Sequence, residues 1–235
     1  MNNNLHNKIN VIKKYESSSF VIKKSLNNNQ IKKLINLYKV LPIEINNKRQ
    51  KIIKKKWSTK YYKNLQNIIL KKIKKKIGSF KLDNPKTKEG FKSFGMFQES
   101  YKPVNLHVDT GFDLKKILFK QIVIPLSSNG ETIIFKNRFY GCSTTFSIDP
   151  KELKAKGYNK RSSEHLKIFK GKNFDKNLHK KYLQHENIKN LKGLEIEMIY
   201  KWKLGDILVF DRSQLHCASC NIKNKKIGLT IVTKK

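Results

Sequence analysis

The chain has 235 residues, of which 38% are hydrophobic, and a formal net charge of +35. That is enough for one domain of generous size, or a core with an added lobe. No run of about 18 apolar residues is present, so no transmembrane span is expected, and three cysteines (Cys142, Cys217, Cys220) make no disulfide framework and suit a reducing compartment. The start, Met1-Asn2-Asn3-Asn4, has no apolar signal-peptide core, and a cytoplasmic location is the expectation.

Residues 1–26 are polar and low in complexity. Val11-Ile12 and Phe20-Val21-Ile22 suit short edge strands, and the far terminus reads as disordered. Residues 27–40 carry Ile31, Leu34, Ile35, Leu37 and Tyr38 at helical spacing, ended by Pro42. The basic run 51–56 reads as a solvated face or loop. Ser58 or Thr59 is placed to cap a second helix reaching about Ile77, with Tyr61, Leu65, Ile68, Ile69 and Ile73 as its apolar stripe and Gly78 as its stop. Residues 1–93 thus read as a helical, basic flanking region.

From 94 onward the signals are those of strands. Residues 94–100, 119–126, 132–135 and 143–148 form short apolar or alternating runs. Gly111 and Asp113 turn the chain, Asn129-Gly130 is a hairpin signal, and 137–141 is a polar-aromatic turn. Residues 150–190 form a polar insertion with Glu164, His165, His179 and His185 and a predicted helix over 174–185. Residues 194–202 alternate. Gly205-Asp206 marks a turn, and 207–210 is an apolar run that reads as a buried strand, with His216 just past its end. After a polar loop, 226–232 is a returning strand. Cys217-Ala218-Ser219-Cys220 is a CxxC, but a zinc ribbon needs a second pair.

Two short segments carry chemistry. In a strand, residues i and i+2 point to the same face, so His107 and Asp109 can offer an imidazole nitrogen and a carboxylate oxygen to one point. Adding His216 gives two histidines and one carboxylate, a set that occupies one face of an octahedron and leaves three sites open, as in non-haem Fe(II) oxygenases.

The pattern resembles the Fe(II)/2-oxoglutarate-dependent dioxygenase superfamily. The resemblance rests on His107-x-Asp109, on Gly205-Asp206-x-Leu208-x-Phe210 leading to His216, and on a basic residue about one strand later. It covers roughly residues 94–235 and is nearest to the prolyl 4-hydroxylase and phytanoyl-CoA hydroxylase branches. It implies a mainly β chain, a double-stranded β-helix (jelly roll, cupin-like) with flanking N-terminal helices. It implies Fe(II) on His107, Asp109 and His216, with 2-oxoglutarate and O2 as cosubstrates and succinate and CO2 as products. It implies that Lys226 meets the far carboxylate of 2-oxoglutarate, with Lys225 as competitor, and that Thr230 and Tyr101 contact the cosubstrate. Halogenating relatives have a small residue in place of the carboxylate, so Asp109 implies hydroxylation. Arg138, Asn137 and Arg212 are candidates for gripping an unidentified substrate.

Two other readings stay open: a cupin-like metal-binding protein without 2-oxoglutarate chemistry, and a basic nucleic-acid-binding protein. Phosphate recognition favours Arg for its bidentate fork, yet arginine appears only at Arg49, Arg138, Arg161 and Arg212. An AT-rich genome yields the same Lys, Asn and Ile excess without selection on binding. Nucleic acid is therefore expected to bind only through non-specific charge at low salt. Neither substrate nor oligomeric state is readable from the sequence.

Overall fold

The computed structural model describes residues 3–48, 50–111, 116–154, 157–160 and 172–235. Arg49, Asp113, Arg161, Glu164 and His165 lie outside the described residues. The chain opens with α1 (Asn3–Lys13), β1 (Phe20–Ile22), α2 (Asn28–Val40), β2 (Ile45–Asn47), β3 (Ile52–Ser58), α3 (Lys63–Ile77) and β4 (Lys81–Leu82). It continues through β5 (Ser93–Ser100), β6 (His107–Val108), β7 (Leu118–Pro125), β8 (Glu131–Arg138), β9 (Thr144–Ser147), α4 (Pro150–Leu153) and β10 (Tyr158–Lys160). It ends with α5 (Lys176–Tyr182), a 3-10 turn (Ile188–Leu191), β11 (Ile196–Lys201), β12 (Ile207–Asp211), β13 (Gln214–Ala218) and β14 (Lys226–Lys234).

Two sheets form a jelly roll, as expected. The major sheet runs β1-β12-β7-β14-β5-β3-β2, with β4 beside β14, and the minor sheet runs β10-β9-β6-β13-β8-β11. Only β9 and β10 pair in parallel among the described strands. α2 and α3 cover the outer face of the major sheet, where Leu34, Ile69 and Ile73 meet Trp57, Phe94 and Phe97. The segment 174–194 covers the outer face of the minor sheet with Phe174, Leu183 and Leu191. Between the sheets, Val123, Ile134, Leu208 and Phe210 fill one end and leave a cleft at the other.

α2 begins and ends where its sequence says. Asn27 and Gln30 form a reciprocal capping box, and Ile31, Leu34, Leu37 and Tyr38 face inward. α3 starts later than expected. Ser58 still belongs to β3, Thr59 bonds the Lys92 carbonyl, and Tyr62 precedes the helix at φ 59° with no side-chain cap. Gly78 ends it as expected. Val11-Ile12 lies in α1 rather than in a strand, whereas Phe20–Ile22 is the expected edge strand, paired with β12.

Four corrections concern the strands. The run 51–56 is no loop: most of it lies in β3, inside the major sheet between β5 and β2. Strands from residues 1–93 therefore extend the same sheet that β5, β7 and β14 build. Asn129-Gly130 makes no hairpin, because β7 and β8 belong to different sheets and the turn carries the chain across. Asn137 and Arg138 end β8 instead of opening a turn. His216 is not past a strand end but in the middle of β13. Among the described residues no helix is long and apolar enough to cross a membrane.

Gly205 ties the N-terminal segment to this core. It sits at φ 83°, where a side chain is strained, and a Cβ there would lie 2.6 Å from the Leu26 carbonyl oxygen. The Leu26 amide in turn donates to the Gly205 carbonyl at 2.9 Å. Gly205→Ala is expected to lower unfolding free energy by about 2–3 kcal/mol, read as an earlier midpoint in urea denaturation.

Candidate active site

His107 lies on β6 and His216 on β13, and the two are direct partners in the antiparallel register. Alternation explains their direction. Leu106 and Val108 pack outward with Leu215 and Cys217 in the minor-sheet core, so the histidines between them turn into the cleft. Their ring centroids are 4.1 Å apart, and Phe210 meets the His216 ring edge-on at 4.8 Å. Asp109 follows on the same face as His107. Its carboxylate Oδ2 is 3.7 Å from His107 Nε2 and 3.5 Å from His216 Nε2. The three ligand atoms lie within 4.8 Å of one another, a geometry that can hold a metal ion.

The hydrogen bonds behind these side chains set their chemistry. His107 Nδ1 is 2.7 Å from the Asn105 carbonyl, and His216 Nδ1 is 3.0 Å from the Gln214 carbonyl. A carbonyl only accepts, so each Nδ1 carries the proton and each Nε2 lone pair is free to bind a metal. Burial, with His216 close by, pulls the His107 imidazole down to about 4, which keeps it neutral at pH 7. Withdrawal from water works to raise the Asp109 carboxyl, but its close contacts with His216 and His107 hold it well below the usual carboxylate range. Asp109 is 40% exposed at its side chain, open toward the cleft. Gln121 on β7 donates its amide to Asp109 Oδ2 at 2.8 Å and fixes the carboxylate from the major sheet.

The same cleft, of about 90 Å3, is walled by Lys226, Gly228 and Thr230 of β14. Lys226 is only 4% exposed. Its ammonium donates to the Glu131 carbonyl at 2.8 Å and lies 4.1 Å from the Trp202 ring centre. Burial pulls this lysine down to about 7, against the pull of Glu131 and Cys217. Lys225, in contrast, points out toward Glu99 with half its side chain exposed. Gly228 leaves room for the Trp202 ring, which would come within 2.6 Å of a Cβ there.

No protein-family model matches the sequence, and no curated protein matches it. Solved structures do match. HygX from Streptomyces hygroscopicus with nickel and 2-oxoglutarate bound superposes with a TM-score of 0.53 at 10% identity, covering 97% of this chain and 86% of that one. The epimerase SnoN in complex with Fe3+, alpha ketoglutarate and nogalamycin RO gives 0.53 at 8% identity, covering 98% and 84%. The non-heme alpha ketoglutarate dependent carbocyclase SnoK from nogalamycin biosynthesis gives 0.53 at 10% identity, covering 96% and 83%. This chain shares the jelly-roll fold of these three structures.

Several expected contacts fall elsewhere in this fold. Tyr101 is 46% exposed outside the cleft, and its hydroxyl donates to Glu99 at 2.6 Å. Arg138 pairs with Asp211 at 2.9 Å and with Glu16 at 3.4 Å, so its guanidinium is engaged in a structural network. Asn137 is buried, donating to the Gly193 carbonyl and accepting from the Glu195 amide. Arg212 is a brace: it bonds the carbonyls of Asp109, Thr110 and Thr233 and pairs with Asp83 at 2.8 Å. Of the candidates Lys226, Arg138, Asn137 and Arg212, only Lys226 lines the cleft.

Other residues that shape the site carry weak sequence signals. Gln121 sits inside an apolar strand, where a buried amide needs a polar partner, and that conflict is a legible hint. Glu186, from the polar insertion, accepts the Leu106 amide at 2.5 Å and Asn190 at 3.0 Å, securing the strand that carries His107. Burial pushes its carboxyl up to about 7. His179 bonds the Glu186 carbonyl, and among the described residues only His107, Asp109 and His216 gather as metal ligands. Gln121→Leu removes the amide without adding bulk. It is expected to weaken Fe(II) binding about 10–100-fold, measured by anaerobic metal titration, while the far-ultraviolet dichroism stays unchanged.

Proposed function

We propose that this protein is a non-haem Fe(II)- and 2-oxoglutarate-dependent oxygenase that hydroxylates an acceptor with release of succinate and CO2. One observation carries the reading. Two imidazole Nε2 atoms and a carboxylate oxygen converge in a cleft that also holds a buried ammonium with no carboxylate partner among the described residues. HygX, bound to nickel and 2-oxoglutarate, and SnoN, bound to Fe3+ and alpha ketoglutarate, share the fold.

The residues fit the absent groups. His107, Asp109 and His216 supply a neutral, an anionic and a neutral donor in turn, which suits a divalent ion and leaves one face open. Lys226 would take the far carboxylate of 2-oxoglutarate, and Thr230, two pleats along β14 on the same face, would add a hydroxyl donor. When bound, Fe(II) and 2-oxoglutarate supply oxygen activation through oxidative decarboxylation. The chain supplies the rest. Gln121 and Arg212 hold the Asp109 carboxylate and its backbone in place. Trp202 and Phe210 line the cleft with apolar surface, which strengthens the Lys226 charge and limits water. A carboxylate at Asp109 leaves no room for a halide ligand, which favours hydroxylation.

The test is anaerobic titration of Fe(II) and 2-oxoglutarate, followed by the weak visible charge-transfer band of the chelate. Wild type is expected to form the band. His216→Ala is expected to lose it. Lys226→Ala is expected to need about 10- to 100-fold more 2-oxoglutarate, the loss from stripping a charged partner off a buried carboxylate. A folded, iron-loaded wild type without the band would move the protein to the metal-binding reading without 2-oxoglutarate chemistry.

A pH dependence follows from Lys226. Only its protonated form pairs with a carboxylate, and the free protein loses that proton near pH 7. Glu131 and Cys217 are the titratable groups acting on it. The 2-oxoglutarate half-saturation is therefore expected to be flat below about pH 7 and to rise toward a limit of tenfold per pH unit above it. Lys226→Arg stays charged throughout. A profile for this variant as steep as that of wild type would place the titrating group elsewhere.

A further inference from the structure

We propose that Lys54, with Gln98 beside it, forms a subsite for the oxyanion of the substrate, so that the acceptor is a small acid carrying a carboxylate or phosphate. This rests on the oxygenase reading above. The register places it. Lys54 on β3 is the direct partner of Gln98 on β5, and direct partners in an antiparallel pair share a face. Gln98 lines the cleft with His107 and Asp109. Lys54 therefore stands on the cleft side of the major sheet, and its charge acts on both His107 and Asp109.

Its neighbours in sequence are both engaged. Lys55, on the opposite face, donates to the Tyr38 and Lys39 carbonyls at 2.8 and 3.2 Å. Lys56 pairs with Glu44 at 3.3 Å. The Lys54 ammonium makes no hydrogen bond and no ion pair among the described residues, although the residue is partly buried. An unpaired cation held beside a divalent-metal site is repelled by the metal. A ligand that brings negative charge between the two removes that repulsion.

The opposite wall and the mouth narrow the ligand to a small one. His107, Thr145 and Tyr158 are register partners across β6, β9 and β10 and so share the cleft face. The Tyr158 hydroxyl accepts from the Gln50 amide at 3.1 Å, which straps the tip of the β2–β3 hairpin to β10 across the open edge between the sheets. Ile45, the other partner of Lys54, is 46% exposed and gives the outer rim an apolar contact. The subsite thus offers a cation and an amide on the cleft side of the major sheet, with hydroxyls on the facing sheet and apolar surface further out.

The test uses sulfate and acetate as probes, titrated calorimetrically into the anaerobic Fe(II)- and 2-oxoglutarate-loaded protein in a buffer without competing anions. Sulfate stands for a phosphate group and acetate for a carboxylate, and the tighter probe tells which group the subsite takes. Lys54→Gln is expected to weaken binding of that probe about tenfold or more, the loss of one charged hydrogen bond. Lys54→Arg should keep it, and Lys63→Gln on the exposed start of α3 should leave it unchanged. Equal weakening by Lys54→Gln and Lys63→Gln, or none by either, means an adventitious ion only and overturns the subsite. A rise in the 2-oxoglutarate half-saturation in Lys54→Gln with anion binding intact assigns the lysine to the cosubstrate and also overturns it. Should wild type show no charge-transfer band, the oxygenase reading fails on its own. The anion titrations on metal-free protein then still separate a Lys54 site from bulk charge.

Discussion

His107 and His216 face each other across one antiparallel pair, and a slip of either strand by one residue would turn its histidine to the other side of the sheet. The slip is opposed by what surrounds them. Leu106, Val108, Leu215 and Cys217 are all within a percent or so of full burial on the opposite face, so any shift would expose them and bury the imidazoles in an apolar layer. Each histidine also spends its Nδ1 proton on the carbonyl two residues before it. The same local bond on both strands sets the same tautomer, and the two Nε2 atoms meet because the register makes them meet. Packing on one face of the sheet thus fixes coordination chemistry on the other.

Asp109 needs a different restraint, since it lies just past the two residues of β6. The restraint comes from ionic contacts that cross the fold. Arg212 joins the Asp109 and Thr110 carbonyls to Thr233 on β14 and to Asp83. Next to it, Asp211 accepts from Lys120 and Arg138 and from the Ser17 amide, which brings the N-terminal segment onto the ends of β7 and β12. Buried pairs of this kind add little net stability once desolvation is counted, but breaking one partner is costly. Their effect here is positional. They hold the metal-facing carboxylate from behind, while Gln121 holds it from the front.

The parts of the fold legible from sequence are those whose signal is local. α2 announces itself because its stripe and its terminating proline fall within one window. β14 is legible because Lys226, Gly228 and Thr230 alternate with Ile227, Leu229 and Ile231, and the structure puts the first set in the cleft and the second in the core. The three triad residues are legible from chemistry at strand spacing. β3 is not, because lysines occupy both of its faces. Lys55 looks solvated in the sequence, yet its ammonium lies over the Tyr38 ring and caps the carbonyls at the end of α2. Arg138 and Arg212 stand out in a lysine-rich chain, but their carboxylate partners are 73 and 129 residues away. No window holds both ends of such a pair, so the sequence shows that a guanidinium is wanted without showing by what.

Charge balance links the two ends of the cleft. A lone buried ammonium is unfavourable, which is why Lys226 sits near the point of losing its proton. In the proposed complex the divalent ion brings two positive charges, Asp109 cancels one, and protonated Lys226 restores it. The two carboxylates of 2-oxoglutarate then neutralise the set, one near the ion and one at the lysine. Binding therefore stabilises the lysine proton, and the proton stabilises binding. Lys54 stands outside this neutral set as a further positive charge on the cleft side of the major sheet, so the acceptor that completes the proposed site is one that carries its own negative charge to it.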